Sequence, residues 1–282
     1  MSQHIPSLNR REFLARTALG VGSLALAGCA SSNMKAQKKI PVGLQLYSLR
    51  NECKADFPGT IAAVGKMGYA GVEFAGYWNY SASDIRKMLD DAGLVACGTH
   101  TSYESLLPDK LNETIEFNRT LGNKFLIVPY MTGKTRAEWL ARAERLNAVA
   151  EALKPLGMLT GYHAHSHDFH PVEGEPAWDI FFRNTRPDVV MQLDTSNCLA
   201  GGADPVEVLR RYPGRGLSIH LKANGGGPEA VIGEDKVNWA GVFELCETIS
   251  GTQWYVVEHE SSRQPMVAVQ RSLDALRAMG KA

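Results

Sequence analysis

The chain has 282 residues, of which 44% are apolar and 21% are charged, an ordinary globular composition that can bury a full core. Lysine and arginine balance aspartate and glutamate, so the formal net charge is zero. Because nucleic-acid binding depends on an excess of basic side chains, this balance argues against a nucleic-acid partner. Beyond the first thirty residues, no apolar run is long enough to cross a bilayer.

The N-terminus has the features of an export signal. Arg10 and Arg11 precede an apolar run over residues 18–28, and paired arginines before a moderate apolar run resemble a twin-arginine signal. The run is too short for a stable membrane-spanning helix. It ends in the letters LAGC, which resemble a bacterial lipobox with Cys29 as the lipidated residue.

We therefore expect a signal peptide over residues 1–28 and a polar tether over residues 29–39. The protein is then exported by the twin-arginine route to the periplasm and touches the membrane only through a lipid on Cys29. A cleaved signal peptide followed by an incidental cysteine is the alternative interpretation. The four other cysteines show no spacing typical of a zinc site, so buried free thiols are expected.

From residue 40 onward, short apolar segments alternate with helical patterns. Eight segments have the character of strands: Val42–Tyr47, Gly71–Ala75, Val95–His100, Lys124–Pro129, Leu159–His165, Val189–Asp194, Leu217–Lys222 and Trp254–Glu258. Eight strands, each followed by a helix, are typical of a single (β/α)8 TIM barrel of about 250 residues. We predict one such domain over residues 40–282. A doubly wound open sheet is the structural alternative, but no GxGxxG motif follows the first strand.

Three helices between these segments have clear start signals. Thr135 and Glu138 have the spacing of a capping box. Asp204 followed by proline predicts a second helix start, and Ser81 is expected to cap a third helix.

Polar side chains end the strands on the side where a barrel carries its active site. The second strand ends near Glu73 and the third at His100. The last four strands end in His163 with His165, Asp194, His220 with Lys222, and Glu258. Any one of these could be a solvated strand end. Together, four successive strands ending in His, Asp, His and Glu offer the ligands of a metal site, since burying such groups unpaired would be costly.

The ordered series of strand motifs resembles the xylose isomerase-like barrels, also called the sugar phosphate isomerase/epimerase family. The series consists of GLQLYSLR from residue 43, GVE from 71, YHAH from 162, LDTSN from 193, IHLK from 219, GEDKVNW from 233 and VEH from 257. The resemblance extends over residues 40–280. It implies one divalent metal ion (Mn, Zn, Co or Fe) with ligands from strands five to eight, namely His163 or His165, Asp194, His220 and Glu258.

One position departs from the family pattern, because many epimerases of the family have a glutamate on strand five where this chain has histidine. With two carboxylates and neutral histidines, a divalent site is neutral overall, which favours Lewis-acid activation of a carbonyl. The departure also breaks the pair of carboxylates that serves as acid and base in those epimerases. That leaves room for lyase or dehydratase chemistry.

The resemblance implies an enzyme that removes the proton next to a carbonyl of a small sugar substrate. Glu258 or His165 is the expected base, Lys222 the group that stabilises negative charge, and Glu73, His100 and Asn197 the substrate contacts. Export makes an unphosphorylated sugar or keto-sugar the expected substrate. An isomerase or epimerase is the first interpretation and a keto-glycoside lyase or dehydratase the second.

Two other classes share this barrel. A DNA-repair enzyme similar to endonuclease IV would need more metal ligands and a basic face, and the zero net charge counts against it. A non-catalytic sugar-binding lipoprotein is the remaining alternative. The sequence contains no signal for the oligomeric state.

Overall fold

Eight parallel strands form the centre of the fold in the computed structural model, which describes residues Lys39–Ala282. They are Val42–Gln45 (β1), Gly71–Phe74 (β2), Val95–His100 (β3), Phe125–Val128 (β4), Leu159–His163 (β5), Val190–Gln192 (β6), Ser218–Leu221 (β7) and Trp254–Val257 (β8). Backbone hydrogen bonds connect them in the order β6-β5-β4-β3-β2-β1-β8-β7. The predicted signal peptide, Cys29 and the tether up to residue 38 lie outside the described residues.

The two ends of this order, β6 and β7, meet at the carboxyl ends of the strands. Asp194 forms an isolated parallel bridge with His220, and the His220 N–H donates to the Leu193 carbonyl at 2.9 Å. The sheet is thereby a nearly closed barrel, and the predicted (β/α)8 fold is confirmed. The closing bridge joins two of the predicted metal ligands.

Helices surround the barrel. They are Arg50–Ala55 (α1), Phe57–Met67 (α2), Ala82–Ala92 (α3), Leu111–Leu121 (α4), Arg136–Leu153 (α5), Ala177–Arg183 (α6), Thr195–Ala200 (α7), Pro205–Arg211 (α8), Trp239–Thr248 (α9) and Pro265–Ala278 (α10). Short 3-10 turns occupy Leu46–Leu49, Tyr103–Leu106, Lys154–Leu156 and Ser166–Phe169. Within residues 39–282, no helix is both long and apolar enough to cross a membrane.

The predicted helix starts are confirmed, because Thr135, Ser81 and Asp204 each accept a backbone N–H with their side chains. The second half of the predicted capping box differs. The Glu138 carboxylate accepts from the Lys134 N–H at 2.6 Å and not from the N–H of Thr135.

Several strands end earlier than the apolar segments predicted, because the chain turns directly into helices. β1 ends at Gln45, where a 3-10 turn begins, and β6 ends at Gln192. Asp194 has left the sheet and caps α7, since its Oδ1 atom accepts from the Asn197 N–H at 2.7 Å. A short hairpin after β5, which pairs Pro171–Val172 with Glu175–Pro176, was not predicted.

Two apolar clusters fill the fold. The larger one packs the outer face of the sheet against the helices and includes the fully buried Leu44, Val72 and Tyr162. The smaller one consists of Phe125, Ile127 and Val190 and closes the amino-terminal end of the barrel interior. The polar side chains described next lie above this apolar layer, towards the carboxyl ends of the strands. The four cysteines of the described residues are buried and free, as expected.

Candidate metal centre and active site

Four buried side chains converge at the carboxyl end of the barrel. The ligand quartet consists of His163 from β5, Asp194 after β6, His220 from β7 and Glu258 after β8. Each residue offers one ligand atom, and these atoms all lie within 4.8 Å of one another. The structure thus brings together the four predicted metal ligands and places His163 in the group in preference to His165.

Asp194 has one carboxylate oxygen without a hydrogen-bond partner. Its Oδ1 atom accepts from the Asn197 N–H, whereas Oδ2 is buried and unpaired. The Lys222 Nζ atom lies 3.9 Å and the His220 Nδ1 atom 4.0 Å from Oδ2, both too far for a hydrogen bond. A buried, unpaired carboxylate oxygen is costly, and a cation among the quartet would satisfy it. The residues present therefore fit a divalent metal ion.

A second polar group, the supporting layer, lies directly beneath the quartet. It consists of Gln45, Glu73, Gln192 and Ser218, all fully buried. The Gln45 amide donates to Glu73 Oε2 at 2.8 Å, the Gln192 amide donates to Oε1 at 2.7 Å, and His220 Nε2 lies 2.6 Å from Oε2. Both oxygens of Glu73 accept hydrogen bonds and are buried, so its carboxylate supports the histidine, and its predicted contact with substrate stays a prediction.

The supporting layer also determines which ring nitrogens carry protons. Because the Gln192 Nε2 group donates to Glu73, its Oε1 atom is left to accept from His163 Nδ1 at 3.0 Å and from His100 Nε2 at 3.1 Å. His220 Nε2 likewise donates to Glu73. His163 Nε2 and His220 Nδ1 are then the ring nitrogens that would bind a metal ion, and His220 Nδ1, which lies 2.9 Å from Glu258 Oε2, would give up its proton on doing so.

Burial and nearby charges shift the pKa values in the quartet in different directions. Burial alone lowers the pKa of His220, but Glu73 and Glu258 outweigh it and raise the value to about 10. Burial raises the pKa of Asp194 to about 7 against the effect of Lys222. For Glu258, Lys222 and His220 outweigh burial and lower the pKa.

The two other predicted catalytic residues border the quartet. The Lys222 Nζ atom lies 3.8 Å from a Glu258 oxygen and donates to Glu260 Oε2 at 2.5 Å. The His165 ring lies 5.1 Å from the His163 ring, and its buried Nδ1 atom has no hydrogen-bond partner. Burial lowers the pKa of His165 to about 4, so the ring is neutral at neutral pH.

His100 and Asn197, the two remaining residues predicted to contact substrate, each contact residues of the site. The His100 ring stacks on the His220 ring with centroids 5.4 Å apart. Asn197 donates from its backbone to Asp194 and from its side chain to the Ala164 carbonyl at 2.9 Å, so it holds the quartet and the end of β5 in place. Contacts of His100 and Asn197 with substrate stay predictions.

The sequence analysis did not assign a role to Gln45, Gln192, Ser218 or Glu260. A signal for Gln192 was present, because it precedes Asp194 by two residues and therefore lies on the same side of the strand. Glu260 had a weaker signal, as it follows Glu258 by two residues. Nothing in the pattern around Ser218 distinguishes it from an ordinary strand residue.

Comparison with known families agrees with this geometry. The sequence pattern of the xylose isomerase-like TIM barrel family matches residues 61–279, which make up most of the chain. The chain belongs to the xylose isomerase-like TIM barrel family. The match includes β2 to β8 and therefore all residues of the ligand quartet.

The curated relatives of the chain include proteins named inosose dehydratase. The one from Geobacillus kaustophilus is 28% identical over 187 residues, which cover 57% of this chain and 60% of that protein. The one from Clostridium botulinum is 24% identical over 213 residues, 65% of this chain and 71% of that protein. The matched stretch thus spans less than two thirds of the Geobacillus protein.

Among solved structures, the chain is similar to a sugar phosphate isomerase/epimerase from Parabacteroides distasonis. The TM-score is 0.74 at 27% sequence identity, and the match covers 86% of this chain and 95% of the other. The proteins to which the chain is similar therefore include some named for lyase chemistry and some named for isomerase or epimerase chemistry.

Proposed function

We propose that the protein is a divalent-metal-dependent enzyme that removes the proton next to a carbonyl group of an unphosphorylated, sugar-like substrate. The observation that carries the proposal is the unpaired, buried Asp194 Oδ2 atom within a quartet whose ligand atoms lie within 4.8 Å of one another. A protein that only folded around these residues would gain nothing from leaving that oxygen without a partner.

His163 Nε2, His220 Nδ1, Asp194 Oδ2 and a Glu258 oxygen would hold the ion, with Mn, Zn, Co and Fe all compatible with this donor set. When bound, such an ion polarises a carbonyl oxygen and stabilises the negative charge that develops on deprotonation of the neighbouring carbon. The Glu73 carboxylate keeps a proton on His220 Nε2, so Nδ1, which lies 2.9 Å from Glu258 Oε2, is the ring nitrogen that would lose its proton and bind the ion.

Two side chains at the mouth of the site are suited to move the proton. His165 is neutral, and its Nδ1 atom has no hydrogen-bond partner in the protein. The atom would thus be free to exchange a proton with a substrate group. Glu258 is ionised and lies beside Lys222. We assign proton removal to His165 or Glu258 and charge stabilisation to the Lys222 ammonium group.

Elimination is the outcome that the site favours. Epimerisation needs a proton donor and acceptor on opposite faces of the substrate carbon, and many family epimerases use two glutamates for this purpose. His163 stands in place of one of them and is held by Gln192. The curated relatives named inosose dehydratase support a lyase. Epimerisation or isomerisation is the second candidate, and the Parabacteroides structure named isomerase/epimerase supports it.

The predicted export signal narrows the substrate class. Because phosphorylated sugars are mainly cytosolic, an enzyme exported by the twin-arginine route and anchored through Cys29 would meet free sugars, glycosides or oxidised keto-glycosides. We therefore propose a periplasmic enzyme that acts on keto-sugars or keto-glycosides.

Proton exchange with solvent tests the proposed function. The full-length protein with Mn²⁺ is incubated in D2O with a panel of ketoses and 3-keto-glycosides, and loss of the α-proton is followed by NMR. We expect exchange or turnover with the wild type and none with Glu258→Gln or His220→Ala. The control is His170→Ala, an exposed histidine outside the site, which should retain full activity.

The products of the same reactions separate the candidate outcomes. A lyase releases a water or alcohol and forms an unsaturated ketone, whereas an epimerase returns a stereoisomer that is heavier than the substrate only by the deuterium that replaces the α-proton. A non-catalytic sugar-binding protein would show neither result. Folded Glu258→Gln and His220→Ala variants with undiminished exchange would contradict the assignment of the site.

A further inference from the structure

A polar cavity of about 320 Å3 adjoins the ligand quartet on the side of β3 and α4. Its volume lies at the lower end of the range of small-molecule sites. His100 belongs to both places, because it lines the cavity while its ring stacks on the His220 ring of the quartet. The cavity and the quartet thus adjoin each other across the His100 ring.

One polar group of the cavity lining lacks a partner. The Thr101 Oγ1 atom is buried and makes no hydrogen bond. Neighbouring lining groups are engaged: Ser102 Oγ lies 3.0 Å from Ser105 Oγ, and the Asn118 amide donates to the Thr114 carbonyl at 2.9 Å. A buried hydroxyl without a partner is unfavourable, and a hydroxyl group of a molecule bound against Thr101 would satisfy it.

The rest of the lining indicates the chemistry of that molecule. Tyr77 and Phe117 form an aromatic wall, with ring centroids 4.2 Å apart, against which the C–H face of a sugar ring can pack. Lys110 and Glu113 carry opposite charges, so the lining has no net charge to attract a phosphate or a carboxylate. The lining thus suits a neutral ring that carries hydroxyl groups.

We propose that this cavity binds the second, neutral hydroxylated ring of a two-ring glycoside, whose keto ring lies at the ligand quartet. The proposal rests on the proposed function and narrows its substrate class from keto-sugars in general to keto-glycosides whose second ring is a sugar or polyol. His100 then lies between the two rings of the substrate and contacts both.

Binding measurements test the cavity independently of catalysis. The full-length protein with Mn²⁺ is titrated by calorimetry with cellobiose, lactose, sucrose and trehalose, and with glucose and galactose as one-ring probes. We expect at least one disaccharide to bind tenfold more tightly than either monosaccharide. Thr101→Val should lower the affinity for that disaccharide by about tenfold, because one hydrogen bond is lost. The affinity for monosaccharides should stay unchanged.

Two further variants separate a binding role from a structural one. Ser105→Phe fills the cavity and should abolish the preference for two rings, whereas Thr120→Val, on an exposed position of α4, should change nothing. Thr101→Val replaces an unpaired buried hydroxyl by a methyl group, so its melting temperature should equal or exceed that of the wild type. A lower melting temperature with unchanged disaccharide affinity would instead make Thr101 a structural residue and overturn the proposal.

Equal affinities for one-ring and two-ring sugars in the wild type would also overturn the proposal and leave the cavity a water-filled space. Failure of the proposed function has a different signature, because proton exchange would then be absent from the wild type while the preference for disaccharides persisted. The two failures can therefore be told apart.

Discussion

Two polar groups lie one above the other inside this barrel, and both are shielded from solvent. In the supporting layer, each oxygen of Glu73 has a hydrogen-bond donor. In the ligand quartet, the Asp194 Oδ2 atom has none. Burial alone therefore does not separate a residue that supports a site from a residue that binds a ligand. The difference lies in whether the polar atoms of the protein already satisfy one another.

The largest effect is expected from Asp194→Asn, which changes the unpaired oxygen directly. Loss of a metal ligand should lower turnover on the order of a thousandfold, since metal stabilisation of the transition state is worth several kcal/mol. Urea denaturation gives a sharper readout. Without metal, the variant should be more stable than the wild type, because burial disfavours the ionised Asp194 carboxylate and the amide removes that cost.

In excess Mn²⁺ the order of these stabilities should reverse, because only the wild type gains the full binding energy of the ion. The amide can still accept the Asn197 N–H, so the cap of α7 is kept. A variant that is less stable than the wild type both with and without Mn²⁺ would show that Oδ2 is not the site of an unmet charge.

Glu73→Gln tests the supporting layer, with an expected loss of Mn²⁺ affinity of about tenfold to a hundredfold. The new amide would present N–H groups to the donors of Gln45, Gln192 or His220 and could reverse the tautomer of His220. Calorimetric titration with Mn²⁺ measures the effect.

The matched control is Glu260→Gln, at a partly exposed carboxylate that bonds Lys222 at the rim. Its Mn²⁺ affinity should stay within about twofold of the wild-type value. If the Mn²⁺ affinity of Glu73→Gln also stayed within about twofold of the wild-type value, the supporting layer would have no role in fixing the histidine tautomers that bind the ion.

Lys222→Met should lower kcat/KM by about tenfold while leaving the metal content unchanged, because the ammonium group acts on charge in the substrate and not on the ion. Steady-state kinetics and metal analysis of the same preparation measure both quantities. Loss of the ion together with activity would instead place Lys222 in the structure of the metal site.

Asp168→Asn has the smallest expected effect and extends the comparison to a third buried carboxylate. Asp168 accepts from the His165 N–H at 2.7 Å and from the Tyr162 hydroxyl at 2.8 Å, with His167 Nε2 at 3.2 Å. Burial raises its pKa to about 7 from 3.8. The folded state thus binds this proton more tightly than the unfolded state, and its contribution to stability is lost as pH rises through 7.

We expect the wild type to lose roughly 1.4 kcal/mol of unfolding free energy relative to Asp168→Asn between pH 6 and pH 8. Urea denaturation at the two pH values measures the difference. Parallel pH profiles for the two proteins would mean that Asp168 is ionised throughout this range.

Much of the fold could be predicted from the sequence, because the eight strands are short apolar segments with polar ends and the helices begin at recognisable caps. The same polar ends contained the ligand quartet. Alternation along each strand was sufficient there, since a barrel brings the carboxyl ends of its strands to one place.

Apart from Gln192, which shares a strand face with Asp194, the supporting layer could not be predicted, because a buried glutamine and a solvated one look alike in a sequence. Gly98 illustrates the difficulty. A Cβ atom at this position would lie 2.4 Å from Glu73 Oε1, so the glycine makes room for a carboxylate on the neighbouring strand. The pairing shifts register between Val72 and Glu73, and no pattern within either strand indicates that shift.

The choice between His163 and His165 depended on the residue at which β5 ends, and strand ends are poorly determined by apolar patterns. The hairpin after β5 was missed for a related reason. Its turn contains Glu173 with a φ of 51°, a conformation that turns usually assign to glycine or asparagine, so the sequence lacks the usual hairpin signal.

Metal binding by the full-length protein tests the central claim most directly. The protein is stripped with a chelator, reloaded with Mn²⁺ and analysed by mass spectrometry of the metal and by calorimetry, beside the double variant Asp194→Ala, His220→Ala. We predict one tightly bound ion per wild-type chain and none in the folded double variant. A folded wild type that binds no divalent ion, or a double variant that keeps one, would contradict the account.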